Sequence, residues 1–225
     1  MPPLPSLLVA SPQLLDPNFC RSVVLLIEHD SKGAMGFIVN QKSDLNLKEV
    51  VSFDAVKIPS HIPVWKAGPI DRSAGFVLHN QKNESFEKEI TNGISISSSQ
   101  ESLRKLIESE IHLHAKRHAK HTHLPIERNK FPAFHNYEQN LKKEKIDSSE
   151  VEWIYPFRLL VGYAGWGPGQ LDQEIEQGAW VPLPLCQNVL FNSNFEDMWH
   201  LTLQKIGMHQ DACIPLGSQD TLWLH

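Results

Sequence analysis

Over the N-terminal part of the chain, apolar residues fall in short runs separated by turn signals. That spacing predicts strands rather than long helices. Leu7 to Ala10 and Ser22 to Glu28 (SVVLLIE) are two such runs, and the second is apolar over enough consecutive positions to be buried on both faces. HDSKGAMG then places a turn at Asp30 to Gly33, and Ala34 to Asn40 returns as a third strand, predicting a β-hairpin. Leu45 to Phe53 reads as a short helix, and Val64 to Lys66, Gly75 to His79 and Ile94 to Ser97 read as strands. Ser98 and Glu101 have the spacing of a capping box, opening a helix through Leu103, Leu106, Ile107 and Ile111. Further on, an apolar strand at Phe157 to Val161 runs into a glycine-rich turn. A helix begins there at about Pro168, with Leu171 and Ile175 on one face and Gly178 at its end. A strand near Val189 to Phe191 and a helix from Phe195 to Ile206 complete the pattern, the helix capped by Asn194 and ended by Gly207. Mixed strands and helices with antiparallel neighbours predict an α+β fold rather than a regular doubly wound sheet.

Between residues 112 and 149 the composition changes to HLHAKRHAKHTHLPIERNKFPAFHNYEQNLKKEKIDSS, rich in His, Lys and Glu and poor in aliphatic side chains. Such a stretch buries little apolar surface, so it reads as a surface insertion or mobile loop in an otherwise single domain spanning residues 1–225. A hydrophobic content of 41% and a charged content of 21% place the chain among ordinary globular proteins. The net charge of −5 gives no electrostatic reason to expect nucleic-acid binding. Cys20, Cys186 and Cys213 are far apart, odd in number and without a CxxC, which predicts reduced thiols in a cytosol-like compartment. MPPLPSLLVA lacks the basic region of a signal peptide, and no run of about 18 apolar residues occurs. The expected setting is therefore the cytoplasm, with no membrane partner.

The segment FRLLVGYAGWGPGQLDQEIEQGAW (Phe157 to Trp180) is the most distinctive in the chain. Glycines at 162, 165, 167 and 169 lead to a helix start, where free N–H groups and the helix dipole favour an anion. On that reading Gly165, Trp166, Gly167, Gly169, Gln170 and Glu174 surround a ligand. The spacing matches neither GxGxxG nor a P-loop, so the plainer reading is close packing of Trp166 and the helix on a sheet. Asp172 and Glu174 suggest acid–base chemistry, but acids at a helix start also serve simply as partners of the dipole.

Two other groupings carry chemistry. Asp16, Arg21 and His29 could converge on a polar pocket, with Arg21 suited to bidentate binding of an oxyanion. The plainer alternative is a turn at Asp16–Pro17 and an Asp16–Arg21 ion pair. His114 and His118, four apart, with His121 beyond them, have the spacing to hold Zn²⁺ or Ni²⁺ on one helical face. Lys116, Arg117 and Lys120 would repel a cation there, so a solvated insertion is the better reading and no physiological metal is expected. No serine nucleophile elbow, HExxH or kinase signature is present, and nothing calls for a cofactor.

Three segments, LLVASPQLLDPNFCRSVVLLIEHDSKGAMGFIVNQ (Leu7 to Gln41), KAGPIDRSAGFVLHN (Lys66 to Asn80) and LLVGYAGWGPGQLDQEIEQGAW (Leu159 to Trp180), resemble the AlgH/YqgE family of bacterial proteins, described as transcriptional regulators. They occur in the family's order, and with the C-terminal helix the resemblance covers most of the chain outside the 112–149 stretch. The family pattern maps onto Asp16, Phe19, Arg21, His29, Gly33, Gly36 and Asn40, then Gly68, Pro69 and His79, then Gly162 to Gln170, Glu174 and Trp180. The resemblance implies an α+β fold whose bifurcated mixed sheet curls into a pseudo-barrel with flanking helices, and no established catalytic residues. The chain departs from the pattern at Ala67, where a glycine is usual, in the 112–149 stretch, and in its SQDTLWLH ending. The expected function is that of a non-enzymatic regulatory or binding protein. Its pocket around Arg21, His29, Asn40 and the Gly162 to Gln170 turn would receive an unidentified protein or small-molecule ligand. Direct DNA binding is not expected, because no helix-turn-helix signal or strongly basic helix appears outside the His-rich stretch. The rival expectation is a small-molecule enzyme, a hydrolase using His29 with Asp16 or Glu174. The sequence does not set the oligomeric state.

Overall fold

The computed structural model describes residues 2–54, 56, 58, 62–80, 88–91, 93–109, 157–185, 187–192 and 195–207. The expected insertion at 112–149, its histidine cluster, the Asn194 cap and the SQDTLWLH tail lie outside the described residues. The strands are β1 (Ser6–Ala10), β2 (Val23–Asp30), β3 (Gly33–Ile38), β4 (Lys42–Asn46), β5 (Pro63–Lys66), β6 (Ile70–His79), β7 (Lys88–Thr91), β8 (Ile94–Ser97), β9 (Phe157–Trp166) and β10 (Trp180–Pro184). The helices are α1 (Leu47–Val50), α2 (residues 100–109), α3 (Gln170–Glu176), α4 (Gln187–Asn192) and α5 (Phe195–Lys205). The strands run β10-β1-β2-β3-β9-β6-β8-β7, with β4 attached through β5 to β9. All these pairings are antiparallel except β5 with β9, which makes the sheet mixed.

The sheet forks at β9. Its first half pairs with β5 through Leu159, Leu160 and Val161, and its last residues pair with β3 through Ala164, Gly165 and Trp166. Gly162 stands at the branch with φ +75°, and a Cβ there would lie 2.8 Å from the Gly68 carbonyl oxygen and 2.9 Å from that of Ile70. Only glycine fits this combination of left-handed backbone and close approach. The facing of the strand changes at the same point. Leu160 and Tyr163 face the interior of the curl, whereas Ala164 and Trp166 lie on the outer face.

Three apolar layers follow from this curvature. The interior collects Leu7, Val9, Val23, Leu25, Phe37 and Val39 from alternate positions of the first strands, and α4 and α5 close it with Leu190, Met198 and Trp199. The intervening positions Leu8, Ala10, Val24, Leu26, Ala34 and Ile38 face outward and are covered by Leu171 and Ile175 of α3. Behind the other half, Val64, Val77 and Leu159 pack against Leu103, Leu106 and Ile107 of α2. Strands covered on both faces explain the uninterrupted apolar runs in the sequence. Each fully buried Leu or Val contributes roughly 1.5–3 kcal/mol of transfer free energy.

The α+β architecture and the curled, forked sheet agree with expectation, and several local readings do not. The helix expected over Leu45 to Phe53 is one turn, Leu47–Val50, because the residues before it pair with β5. The Glu49 carboxylate accepts the Asn46 N–H at 2.7 Å and holds that turn. The strand expected near Val189 to Phe191 is helical, and its Val189, Leu190 and Phe191 are buried in the interior. Ser99, not Ser98, precedes α2, and its hydroxyl accepts the Ser102 N–H at 3.4 Å. Glu101 pairs with Arg104 instead of closing a capping box. β9 continues through Gly162 and Gly165 to Trp166, so the turn is confined to Gly167–Gly169. The helix then starts at Gln170 rather than Pro168.

Candidate functional site

The sheet places His29, Ala34 and Trp166 in one row, since His29 is opposite Ala34 on β3 and Ala34 is opposite Trp166 on β9. Helix α3 lies over this row. Gly169 at its N-cap has φ +71° with nothing within 4 Å of an added Cβ, so the backbone turn alone accounts for glycine here. The Gln170 side chain accepts the Gly167 N–H at 3.0 Å, and the Gln170 N–H donates to the Gly167 carbonyl at 3.1 Å. The N–H groups of Gly167 and Gln170 are therefore engaged within the turn itself. At the other end, Gly178 donates to the Ile175 carbonyl and Ala179 to the Glu174 carbonyl, a Schellman closure that returns the chain into Trp180.

Glu174 is the centre of the arrangement. Its Oε2 accepts the indole N–H of Trp166 at 2.9 Å and that of Trp180 at 2.8 Å, and its Oε1 accepts from the Gln170 amide at 2.8 Å. Phe19 covers both indoles, stacked on Trp166 at 6.1 Å and edge-on to Trp180 at 5.6 Å. A second polar link joins the start of α3 to the sheet. His29 Nε2 lies 3.2 Å from Asp172 Oδ2, with the His29 side chain 3% exposed and Asp172 39% exposed. His29 Nδ1 is buried without a hydrogen-bond partner among the described residues.

The other expected site residues serve the loop before β2. Asp16 Oδ1 accepts the Asn18 N–H at 2.7 Å, which makes an Asx turn. Asn40 accepts the Val23 N–H at 2.7 Å and donates to the Arg21 carbonyl at 2.9 Å, fastening the loop to the end of β3. Arg21 holds φ +54°, and its guanidinium sits 5.8 Å from the centroid of Trp199 on α5. Asp16 and Arg21 form no ion pair among the described contacts. Nor does Arg21 meet His29. Val23 and His29 are six positions apart along β2, about 20 Å of extended chain. Arg21 turns to a tryptophan of the interior, whereas His29 meets the helix on the outer face. Gly165 belongs to β9, where an added Cβ would come within 2.9 Å of Ile70 Cδ1.

Two participants stood outside the expected site. Trp180 reaches Glu174 only because the Schellman turn folds the chain back on the helix. Arg158 had one signal, an arginine inside the apolar run FRLLV. It is only 7% exposed; its Nη1 donates to the Val39 carbonyl, and its guanidinium carbon is 4.4 Å from the Trp65 ring centroid. Burial pushes its pKa down to about 10, so it remains charged at neutral pH. Among the described residues, no group of three or more His, Cys, Asp and Glu is arranged to hold a metal ion. No described helix is long and apolar enough to cross a membrane.

A forked, curled sheet with a few flanking helices makes this an α+β half-barrel fold. The chain belongs to the AlgH-like family, whose profile matches residues 7–122 and 137–211. The interruption between the two matches falls inside the 112–149 stretch. A UPF0301 protein of Thioalkalivibrio sulfidiphilus is 29% identical over 205 residues, covering 89% of this chain and 88% of that protein. A UPF0301 protein of Aliivibrio salmonicida is 28% identical over 210 residues, covering 89% and 90%. The solution structure of the AlgH protein from Pseudomonas aeruginosa superimposes with a TM-score of 0.59 at 26% identity, over 92% of this chain and 90% of that one. A crystal structure of a Corynebacterium diphtheriae protein shares the fold, with a TM-score of 0.57 at 19% identity over 91% and 88% of the two chains.

Proposed function

We propose that this AlgH-like protein is a non-enzymatic binding or regulatory protein. The observation that carries this reading is the use of Glu174, whose two oxygens are already committed to two indoles and an amide. A carboxylate with three of its roughly four acceptor sites filled in that way suits a fastening better than a general base. Asp16 is likewise engaged by a backbone group of its own loop, and Asn40 by backbone groups at the start of β2. The surface offered to a protein or small-molecule partner is then the rim of α3 and the Gly167–Gly169 turn, where Gly167, Gly169 and Gln170 are exposed and Asp172 is half-exposed. The test is a turnover screen of the purified full chain against ester, phosphoester and nucleotide substrates. The expected result is no activity above that of a heat-treated control. Direct DNA binding is tested separately by gel shift, where tight, sequence-specific and salt-sensitive retardation would reverse the reading against it.

One observation favours a hydrolytic alternative. His29 and Asp172 have the spacing of a base with its orienting acid. Against it, the remaining ring nitrogen of His29 is buried and cannot reach a substrate. Turnover that disappears in His29→Ala, with the fold retained by circular dichroism, would establish the enzyme and dismiss the binding protein.

A further inference from the structure

The opposite face of the sheet holds a cation whose surroundings ask for an anion. Arg158, only 7% exposed, has five N–H donors to place. Its Nη1 is used by the Val39 carbonyl and its π face by Trp65, and among the described residues Nε and Nη2 have no acceptor. Among the described residues no carboxylate pairs with it. A buried guanidinium is ordinarily retained only where its charge and donors are matched. The neighbourhood adds a second positive charge instead of a negative one. Trp65 packs edge-on against Phe195 at 5.1 Å, and the exposed Lys42 lies with its ammonium 4.9 Å from the Phe195 ring centroid, also without a carboxylate partner among the described residues. Arg158 and Lys42 thus flank an aromatic pair where the sheet forks between the end of β3 and β5. The outer face cannot supply the missing charge, because Glu174 and Asp172 are engaged there on α3.

We propose that this fork is a carboxylate-binding site, in which the free edge of Arg158 holds a planar carboxylate in two parallel hydrogen bonds and Lys42 adds attraction from the rim. The ligand class is an organic acid or the C-terminal carboxylate of a peptide. Its planar pair of acceptors matches the guanidinium edge as a single halide ion does not. The site stands apart from the α3 face and does not depend on the reading offered for it.

The test is calorimetric titration and thermal denaturation of the full chain with benzoate, an N-acetylated tripeptide acid, its C-terminal amide and inorganic phosphate, all against sodium chloride at matched ionic strength. The expected result is a saturable rise in Tm and measurable heat with a carboxylate, and none with the amide or chloride. Binding of benzoate alone assigns a small acid; binding of the tripeptide acid, with its amide silent, assigns a chain terminus. Arg158→Met should lose this binding while melting close to the parent, since removal of an unmatched buried charge offsets the Val39 carbonyl left without its donor. Arg158→Lys should weaken binding about tenfold or more, because the ammonium cannot form the planar pair. Carboxylates that bind Arg158→Met as well as the parent would overturn the proposal. So would phosphate as the sole ligand, or no saturable binding by the parent. Should Arg158→Met fail to fold, Arg158→Lys decides by the same titration.

Discussion

Replacing Glu174 by Ala removes the acceptor that two indoles share. Trp166 and Trp180 are 6% and 2% exposed, so their N–H groups have little access to water once the carboxylate is gone. Leaving a buried donor unmatched costs about 1–3 kcal/mol, and hydrogen bonds to a charged acceptor contribute about 1.5–3 kcal/mol each. The bond from Gln170 is exposed and adds little. Two indoles, partly relieved by water entering the space of the lost side chain, give an expected loss of about 3–5 kcal/mol. Glu174→Gln should be milder, at about 1–2 kcal/mol, because its amide oxygen can still take both indoles. Its NH₂ would then face the Gln170 amide donor. Turning Gln170 over to relieve this would set a second donor against the Gly167 N–H. The assay is urea denaturation followed by tryptophan fluorescence and far-ultraviolet circular dichroism, fitted with a common slope. In a double-mutant cycle with Trp166→Phe, the two losses should be sub-additive by about 1 kcal/mol or more. A Glu174→Ala variant within about 0.5 kcal/mol of the parent would refute the view that this carboxylate fastens the helix. Equal losses for Ala and Gln would refute the count of acceptors.

The two left-handed glycines of the β9–α3 segment should respond differently. Gly162→Ala meets carbonyl oxygens at 2.8 and 2.9 Å and should cost at least about 3 kcal/mol, whereas Gly169→Ala meets nothing within 4 Å and should cost about 1 kcal/mol, so equal Tm values would contradict the branch-point account. Asn40→Ala leaves the Val23 N–H without its acceptor and should cost about 1–3 kcal/mol with faster amide exchange at Val23; exchange at the parent rate would contradict the clamp. Trp199→Phe forfeits the indole bond to the buried Ala10 carbonyl, 2.7 Å long, and should cost about 1–2 kcal/mol in urea, with no loss counting against that anchor.

Strands with period-two burial were legible because both of their faces meet an apolar layer, as the alternation of Leu7 and Val9 against Leu8 and Ala10 makes plain. β4 was not, since KSDLN is polar and is held by pairing to β5 rather than by its own burial. β10 was hidden by Pro182 and Pro184, residues that argue against a strand except at an edge. It is an edge strand, with β1 as its single neighbour in the sheet order. The run at Val189 to Phe191 was too short for periodicity to separate helix from strand, and only burial between α5 and the sheet decides it. In the candidate site, Glu174 was readable as a helix acid, but its bonds to Trp166 and Trp180 come from tertiary closure and leave no spacing signature. Asp16, Arg21 and His29 do not converge because Asp16 and Arg21 precede β2 whereas His29 lies at its far end and leaves by the outer face.

The change of facing at Gly162 ties these observations together. A strand that kept strict alternation would send Trp166 to the same side as Arg158 and Leu160, since all three occupy even positions of β9. The left-handed residue shifts the alternation by one, so the first half of the strand points a cation into the curl and the second half points an indole out to α3. The same shift lets one strand serve two neighbours on one side, β5 beside its first half and β3 beside its last residues. The inward placing of Arg158 at the fork and the lock that engages Glu174 are therefore two consequences of one backbone feature. What distinguishes this glycine-rich segment is a reversal of strand facing. The helix start that follows it closes upon its own side chains.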